Sequence, residues 1–288
     1  MNNNKFINFL RAFKNLLWSK SIKRSKFVWY DLDMEVSKLD DDMLLTELGY
    51  YGHHTEKALK HHTRGSRGQQ KRDKLELIVN EVEKRKIDET NVINWAKYLI
   101  KYFDTNQNIY LELINEIKIH PQKDDILDFI KSRTTTRFWQ QKEVDDEIIK
   151  SILETAMSSA LSCNRQSIRF SVVKNKLEDM VVGDSNNKSM FDKAPVTIYI
   201  ADDERFFPEK YSNALDVGGV CSLIQLTASA YGLSGSWIYH SESYEQDKLK
   251  KELCFENYMY IYSSITIGYP LDKQEKPPRF NIGRFIVN

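Results

Sequence analysis

Ser159-Ala160-Leu161-Ser162-Cys163-Asn164-Arg165-Gln166 is the stretch on which the fold turns. Before it, Ile148, Ile149, Ile152, Leu153, Ala156, Met157 and Ala160 recur at helical spacing behind a capping Asp145. After it, Ile168 to Val173 is a β-branched, strand-like run. The stretch therefore joins a helix to a strand, and its Asn164 and Gln166 amides can serve the polar edge of a ring. Working outward, Arg133-Thr134-Thr135-Thr136-Arg137 stands upstream with two cations and a run of hydroxyls. Arginine suits phosphate because its planar fork donates two parallel hydrogen bonds. Lys276 and Arg279, beside Pro277-Pro278, are placed to close an anion pocket from a distant part of the chain.

The rest of the chain bounds the reading. Its 288 residues are enough for one large domain or two modest ones. A hydrophobic content of 41% supports a packed core, and a net charge of +1 gives no global pull toward nucleic acid. Cys163, Cys221 and Cys254 are an odd set without paired spacing, which argues against a disulfide framework and for a reducing cytoplasm. No apolar run approaches the roughly 18 residues that span a bilayer, and no secretion signal is read at the N-terminus.

Two unlike regions follow from the periodicities, with the boundary near Pro121 to Asp125: a helical region, residues 1–125, and a mixed α+β region, residues 126–288. Met1 to Phe27 carries seven Lys or Arg and no acid, with Phe6, Phe9, Leu10, Phe13, Leu16 and Leu17 at helical spacing. Such a helix can lie on an anionic membrane surface, or pack its stripe on the protein itself. Asp40-Asp41-Asp42 reads as a helix N-terminus. His53-His54 and His61-His62 are eight residues apart, roughly 12 Å along one helix, too far for one zinc ion. No metal site is assigned. Lys60 to Lys74, with Gly65 and Gly68, reads as a basic loop or frayed helix end, and Leu75 to Lys86 and Thr90 to Phe103 as amphipathic helices. In the second region, Val196 to Ala201 and Met259 to Ile267 read as strands. Leu215 to Tyr231 reads as a helix buried in the core or a subunit interface and closed by Gly232. Arg133 and Arg137 lie four apart at what reads as a helix start, where surface charge is the plain alternative. Tyr239, His240 and Tyr258 to Tyr262 read as core and strand aromatics.

These motifs resemble the nitroreductase superfamily of FMN-dependent oxidoreductases. Arg133 to Arg137, followed by Phe138 and Trp139, resembles the family's opening Arg-Arg-Ser-x-Arg. Ser159 to Gln166 resembles Pro-Ser-x-x-Asn-x-Gln. Leu215-Asp216-Val217-Gly218 through Tyr231-Gly232-Leu233-Ser234-Gly235-Ser236-Trp237 resembles the central helix and its Gly-Leu-Gly end, and Ile267-Gly268-Tyr269-Pro270 with Arg279 resembles the closing strand and phosphate loop. The resemblance covers about Asp128 to Val287. It implies a three-layer α+β fold with a mainly antiparallel sheet, and an intertwined homodimer with FMN at the subunit interface. By position it implies cofactor contacts from Arg133, Thr134, Thr135, Arg137, Ala160, Leu161, Ser162, Asn164, Gln166 and Arg279, with Ser236, Trp237 and Lys276 alongside. It further implies hydride transfer from NAD(P)H and reduction of a small organic acceptor such as a nitro compound or quinone. The flavin supplies that chemistry, so no side-chain acid or base is nominated.

Departures open two other readings. Ala160-Leu161 stands where the family has Pro-Ser, removing a hydroxyl next to the ring, and Ser167-Ile168 replaces a common Pro-Trp. A scaffold without turnover at the membrane surface, or a flavin-dependent dehydrogenase in a biosynthetic pathway, are the alternatives. The helical extension, with His54-x-Glu56-Lys57-Ala58-Leu59, resembles that of family members from surface-polysaccharide gene clusters. It is placed to replace the short lid over the substrate pocket.

Overall fold

The computed structural model describes residues 35–60, 65–105, 122–174, 191, 193–206, 211–240, 245–271, 276 and 278–287. The basic stripe of residues 1–27 and the pair His61-His62 lie outside the described residues. None of the helices described is long and apolar enough to cross a membrane.

Three helices form the first core: α1 (Asp41–Lys60), α2 (Ser66–Arg85) and α3 (Thr90–Thr105). Their stripes bury Leu44, Leu48, Leu75, Ile78, Val82, Ala96 and Leu99 together, the pattern expected of helices with apolar positions three and four apart. Asp40 begins α1 by accepting the Met43 amide at 2.8 Å, as the acidic run suggests. The basic stretch before Leu75 departs from expectation. From Ser66 onward it is helix, because its charges pair along the helix surface. Gln69 bonds Asp73 at 2.8 Å, and Arg72 bonds Glu76 at 2.5 Å on its own helix and Asp104 at the end of α3.

A fourth helix, α4 (Lys123–Ser132), leads into the second region. Arg133 to Arg137 thus follows a helix end rather than opening a helix, and the segment is extended because it is bonded to a strand, as described below. Asp145 caps α5 (Asp146–Ala156) by accepting the Glu147 amide at 2.8 Å.

The sheet has four strands in the order β1-β2-β4-β3, all antiparallel: β1 (Ile168–Lys174), β2 (Val196–Asp203), β3 (Ser234–Tyr239) and β4 (Met259–Gly268). β2 and β4 are buried along their whole length because both faces are covered. Alternation sorts their side chains into layers, and a bulge in the β2–β4 pairing, where Ile200 faces Ser263 and Ala201 faces Ile261, swaps the faces of β4 partway along. Ile198, Ile200, Ile265 and Ile267 pack with α5 and with α6 (Ser212–Ala230). Tyr199, Ala201, Met259 and Ile261 face Leu249 of α7 (Glu245–Glu252) and Leu253 just beyond it. Helices on both faces of an antiparallel sheet make the three layers. α6 starts at Ser212, three residues before the apolar pattern suggests, and Gly232 follows its end with a φ of +72°. It buries Val217, Val220, Cys221, Ile224 and Ala228, yet Leu215 is 74% exposed. Tyr239 is likewise exposed rather than core.

Candidate functional site

Three stretches remote in sequence meet at the start of β3. The extended segment after α4 lies beside it. The Ser234 hydroxyl donates to the Thr134 carbonyl at 3.1 Å, and the Ser236 hydroxyl donates to the Thr136 carbonyl at 2.7 Å. Trp139 returns a bond, its indole N–H donating to the Ser234 carbonyl at 3.0 Å. These bonds fix the backbone, so Arg133 and Arg137 project from a held segment. Arg133 donates to Thr135 Oγ1 at 3.3 Å. The chain leaving β4 then joins. The Gln140 amide donates to the Tyr269 carbonyl at 2.9 Å, and the Leu271 amide to the Phe138 carbonyl at 3.0 Å. Lys276 donates to the Lys131 carbonyl, two residues before Arg133. The closing loop therefore reaches the end of α4, next to the Arg133–Arg137 segment. Arg279 lies in the exposed stretch just beyond.

The helix-to-strand connection sits across α6. Asp216 near the start of α6 is buried, and its carboxylate accepts the Ser162 amide at 2.9 and 3.0 Å and the Ser162 hydroxyl at 2.8 Å. One turn on, a Cβ at Gly219 would stand 2.6 Å from Ser159 Oγ, so the connection lies directly on the helix. The connection is strained. Cys163, Asn164 and Gln166 all have left-handed backbones, with φ of 51°, 53° and 53°. Non-glycine residues hold such angles only where the surroundings over-determine them, and such residues cluster at functional sites. Ala160 and Gln166 are exposed, and Leu161, Ser162, Cys163 and Asn164 are half-buried. Trp237 links this part to the first: it is 43% exposed, donates to Ser263 Oγ at 2.9 Å, and stands beside Gly218 of α6. A continuous path therefore runs from Thr136 through Ser236 and Trp237 to α6 and Ser162. Sequence reasoning missed Asp216 as a site residue, although a lone acid in an otherwise apolar helix is a visible signal.

Buried ionisable groups surround this arrangement. Burial pushes the Asp202 carboxyl, at the end of β2, up to about 7, against a hydrogen bond from Ser167. Burial holds the His240 ring down to about 4, where it pairs with Ser264 Oγ at 2.9 Å and stacks near Tyr199. In α1, burial raises Glu47 to about 7 against the pull of Lys74 and Lys71. The His54 ring, lowered to about 4 by burial and by Lys71, packs on Tyr50. Among the described residues no group of three or more His, Cys, Asp and Glu is placed to hold a metal ion.

Comparison with known proteins bears on the second region. Residues 130–183 match the model of the nitroreductase family. A protein of Methanothermobacter thermautotrophicus named "Putative NADH dehydrogenase/NAD(P)H nitroreductase" is 26% identical over 176 residues, 60% of this chain and 91% of that protein. A protein of the same name from Archaeoglobus fulgidus is 26% identical over 168 residues, 56% of this chain and 96% of its own. Among solved structures, a protein of Bacteroides thetaiotaomicron with that name superimposes with a TM-score of 0.51 at 24% identity, covering 57% of this chain and 97% of that one. The nitroreductase family protein of Streptococcus pneumoniae gives a TM-score of 0.50 at 21% identity, over 57% and 99%. Both share the fold.

Proposed function

Residues 130–183 match the nitroreductase family, and from that premise we propose that the protein is an FMN-dependent oxidoreductase that takes hydride from NAD(P)H and reduces a small organic acceptor. The observation that carries the reading is the meeting of the Arg133–Arg137 segment with the chain leaving β4, beside an exposed Trp237. The donor set suits the group. Arg133, Arg137 and Arg279 face no carboxylate at ion-pair distance among the described residues, which leaves three cations for a phosphomonoester. Thr134 and Thr135 add hydroxyls, and Lys276 lies alongside.

In this reading Ala160, Leu161, Ser162, Asn164 and Gln166, together with Ser236 and Trp237, would hold the ring. Bound there, the isoalloxazine would accept the hydride and pass electrons to the acceptor. The chain's own work is positioning. Asp216 fixes Ser162, the left-handed turn directs the Asn164 and Gln166 backbone, and Ser236 fixes Thr136. No side chain is needed as acid or base. Helices α1 to α3 have an apolar core of their own.

A second copy of the chain completes the proposal. Leu215, Phe280, Ile282, Phe285, Ile286 and Val287 are 57% to 95% exposed, more apolar surface than one short arm needs to leave in water. We assign that surface to a homodimer of soluble, cytoplasmic character. Light scattering should give twice the chain mass, and removal of residues 280–288 should give the monomer. A visible spectrum tests the function: the purified or reconstituted protein should show oxidised-flavin bands near ~450 nm that bleach anaerobically with NADH or NADPH. A protein that stays colourless with excess FMN ends the proposal.

A further inference from the structure

We infer that the helical region is part of the flavin site, with α1 clamping the Ser162–Gln166 turn and Gly49 acting as the positioning residue for Asn164. The inference rests on the flavin reading above and adds a wall to it.

The turn does not hold itself. Three non-glycine residues with left-handed backbones within four positions are intrinsically unfavourable, so neighbouring structure must impose them. Asp216 grips the near end through Ser162. The far end is gripped by α1. Gly49 is buried, and a Cβ there would lie 2.1 Å from the Asn164 carbonyl oxygen and 3.2 Å from its carbon. Both are backbone atoms, so no side-chain rotation relieves the overlap. The next residue pair repeats the contact: the Arg165 guanidinium, 3% exposed, lies 5.2 Å from the Tyr50 ring centroid.

α1 cannot slide away to make room, because its N-terminal end is pinned to the sheet. Asp40 binds Arg205 at 2.7 Å, and Asp42 binds Arg169 at 2.6 Å and the Tyr258 hydroxyl at 3.2 Å. The helix is therefore tethered at one end and pressed against the turn at its middle. A methyl group at position 49 must displace Asn164, and with it the backbone that borders the ring.

The test uses the full chain and FMN. In a fluorescence titration Gly49→Ala should weaken FMN at least tenfold and alter the visible circular dichroism of the bound flavin. Gly52→Ala serves as the comparison. Its Cβ would meet the Trp95 ring end at 2.3 Å, inside the helical region and away from the turn. It should leave FMN affinity within about twofold. By reciprocity, FMN should slow hydrogen exchange of wild-type amides in residues 41–60, a readout that needs no variant to fold. Wild-type protein that binds no FMN overturns both this inference and the function. Wild-type binding with equal affinities in the two variants, or with no slowing in residues 41–60, overturns this inference alone.

Discussion

Two sets of arginines divide the molecule. Among the described residues, four guanidinium groups in and around the helical region meet carboxylates. Arg72 joins Glu76 and Asp104, Arg85 joins Glu81 and Asp41, Arg169 joins Asp42, and Arg205 joins Asp40 and Asp203. At the rim of the candidate site, Arg133, Arg137 and Arg279 meet none among the described residues. The first set is spent inside the chain, holding helices to each other and to the sheet. In the proposed function the second is left for an anion from outside. Charge alone does not distinguish them in the sequence; the neighbours do.

The largest effect should come from the second set. Each charge-assisted contact to a phosphate is worth roughly 1.5–3 kcal/mol. Arg133→Ala with Arg279→Ala should therefore weaken FMN by about two orders of magnitude or more, while urea unfolding shifts by less than about 0.5 kcal/mol. A large loss of stability in that double variant would erase the distinction between the sets. Arg205→Ala probes the first set. It would leave Asp203, 1% exposed, as a buried carboxylate without its cation. Breaking one partner of such a pair destabilises by about 3–5 kcal/mol, read by urea unfolding.

A pH titration separates the regions further. His240 in the sheet is held down to about 4 by burial, below its ordinary value of 6.5. The unfolded chain binds the proton first, so stability is fully present above pH 6.5 and falls as pH drops toward 4, by roughly 3 kcal/mol at the limit. Glu47 in α1 runs the opposite way. Burial raises it from 4.5 to about 7, so its contribution is intact below pH 4.5 and is lost as pH rises through 7. His240→Gln should flatten the acid limb of a stability curve, and Glu47→Gln the limb between pH 5 and 8. The smallest effect belongs to a pair on the helical surface. Lys97 and Glu83, both about half exposed, sit at 2.5 Å, and Lys97→Ala should change stability by about 0.2–1 kcal/mol.

Much of the fold was legible because its signals are local. The cap at Asp145, the stripe of α5, the runs of β1, β2 and β4 and the end of α6 at Gly232 each follow from a few adjacent residues. The start of α2 was not, since glycines and basic residues mask a helix whose charges find partners on α2 itself and at Asp104 of α3. Nor was the place of Arg133 and Arg137 after a helix, since bonds to Ser234 and Ser236, 100 residues away, set that segment. The site motifs could be named from the chain, but their joining could not. Asp216 on Ser162, and Gly49 on Asn164, are contacts across 54 residues and between two regions of different composition.

One measurement bears most directly on the claim that remote cations converge on a phosphomonoester: calorimetric titration of the flavin-free chain with FMN and, separately, with riboflavin, which lacks the phosphate. The account predicts saturable FMN binding near one per chain, at least a hundredfold tighter than riboflavin, with the advantage lost in the Arg133→Ala, Arg279→Ala double variant. Equal affinity for the two flavins, or no binding of either, would contradict it.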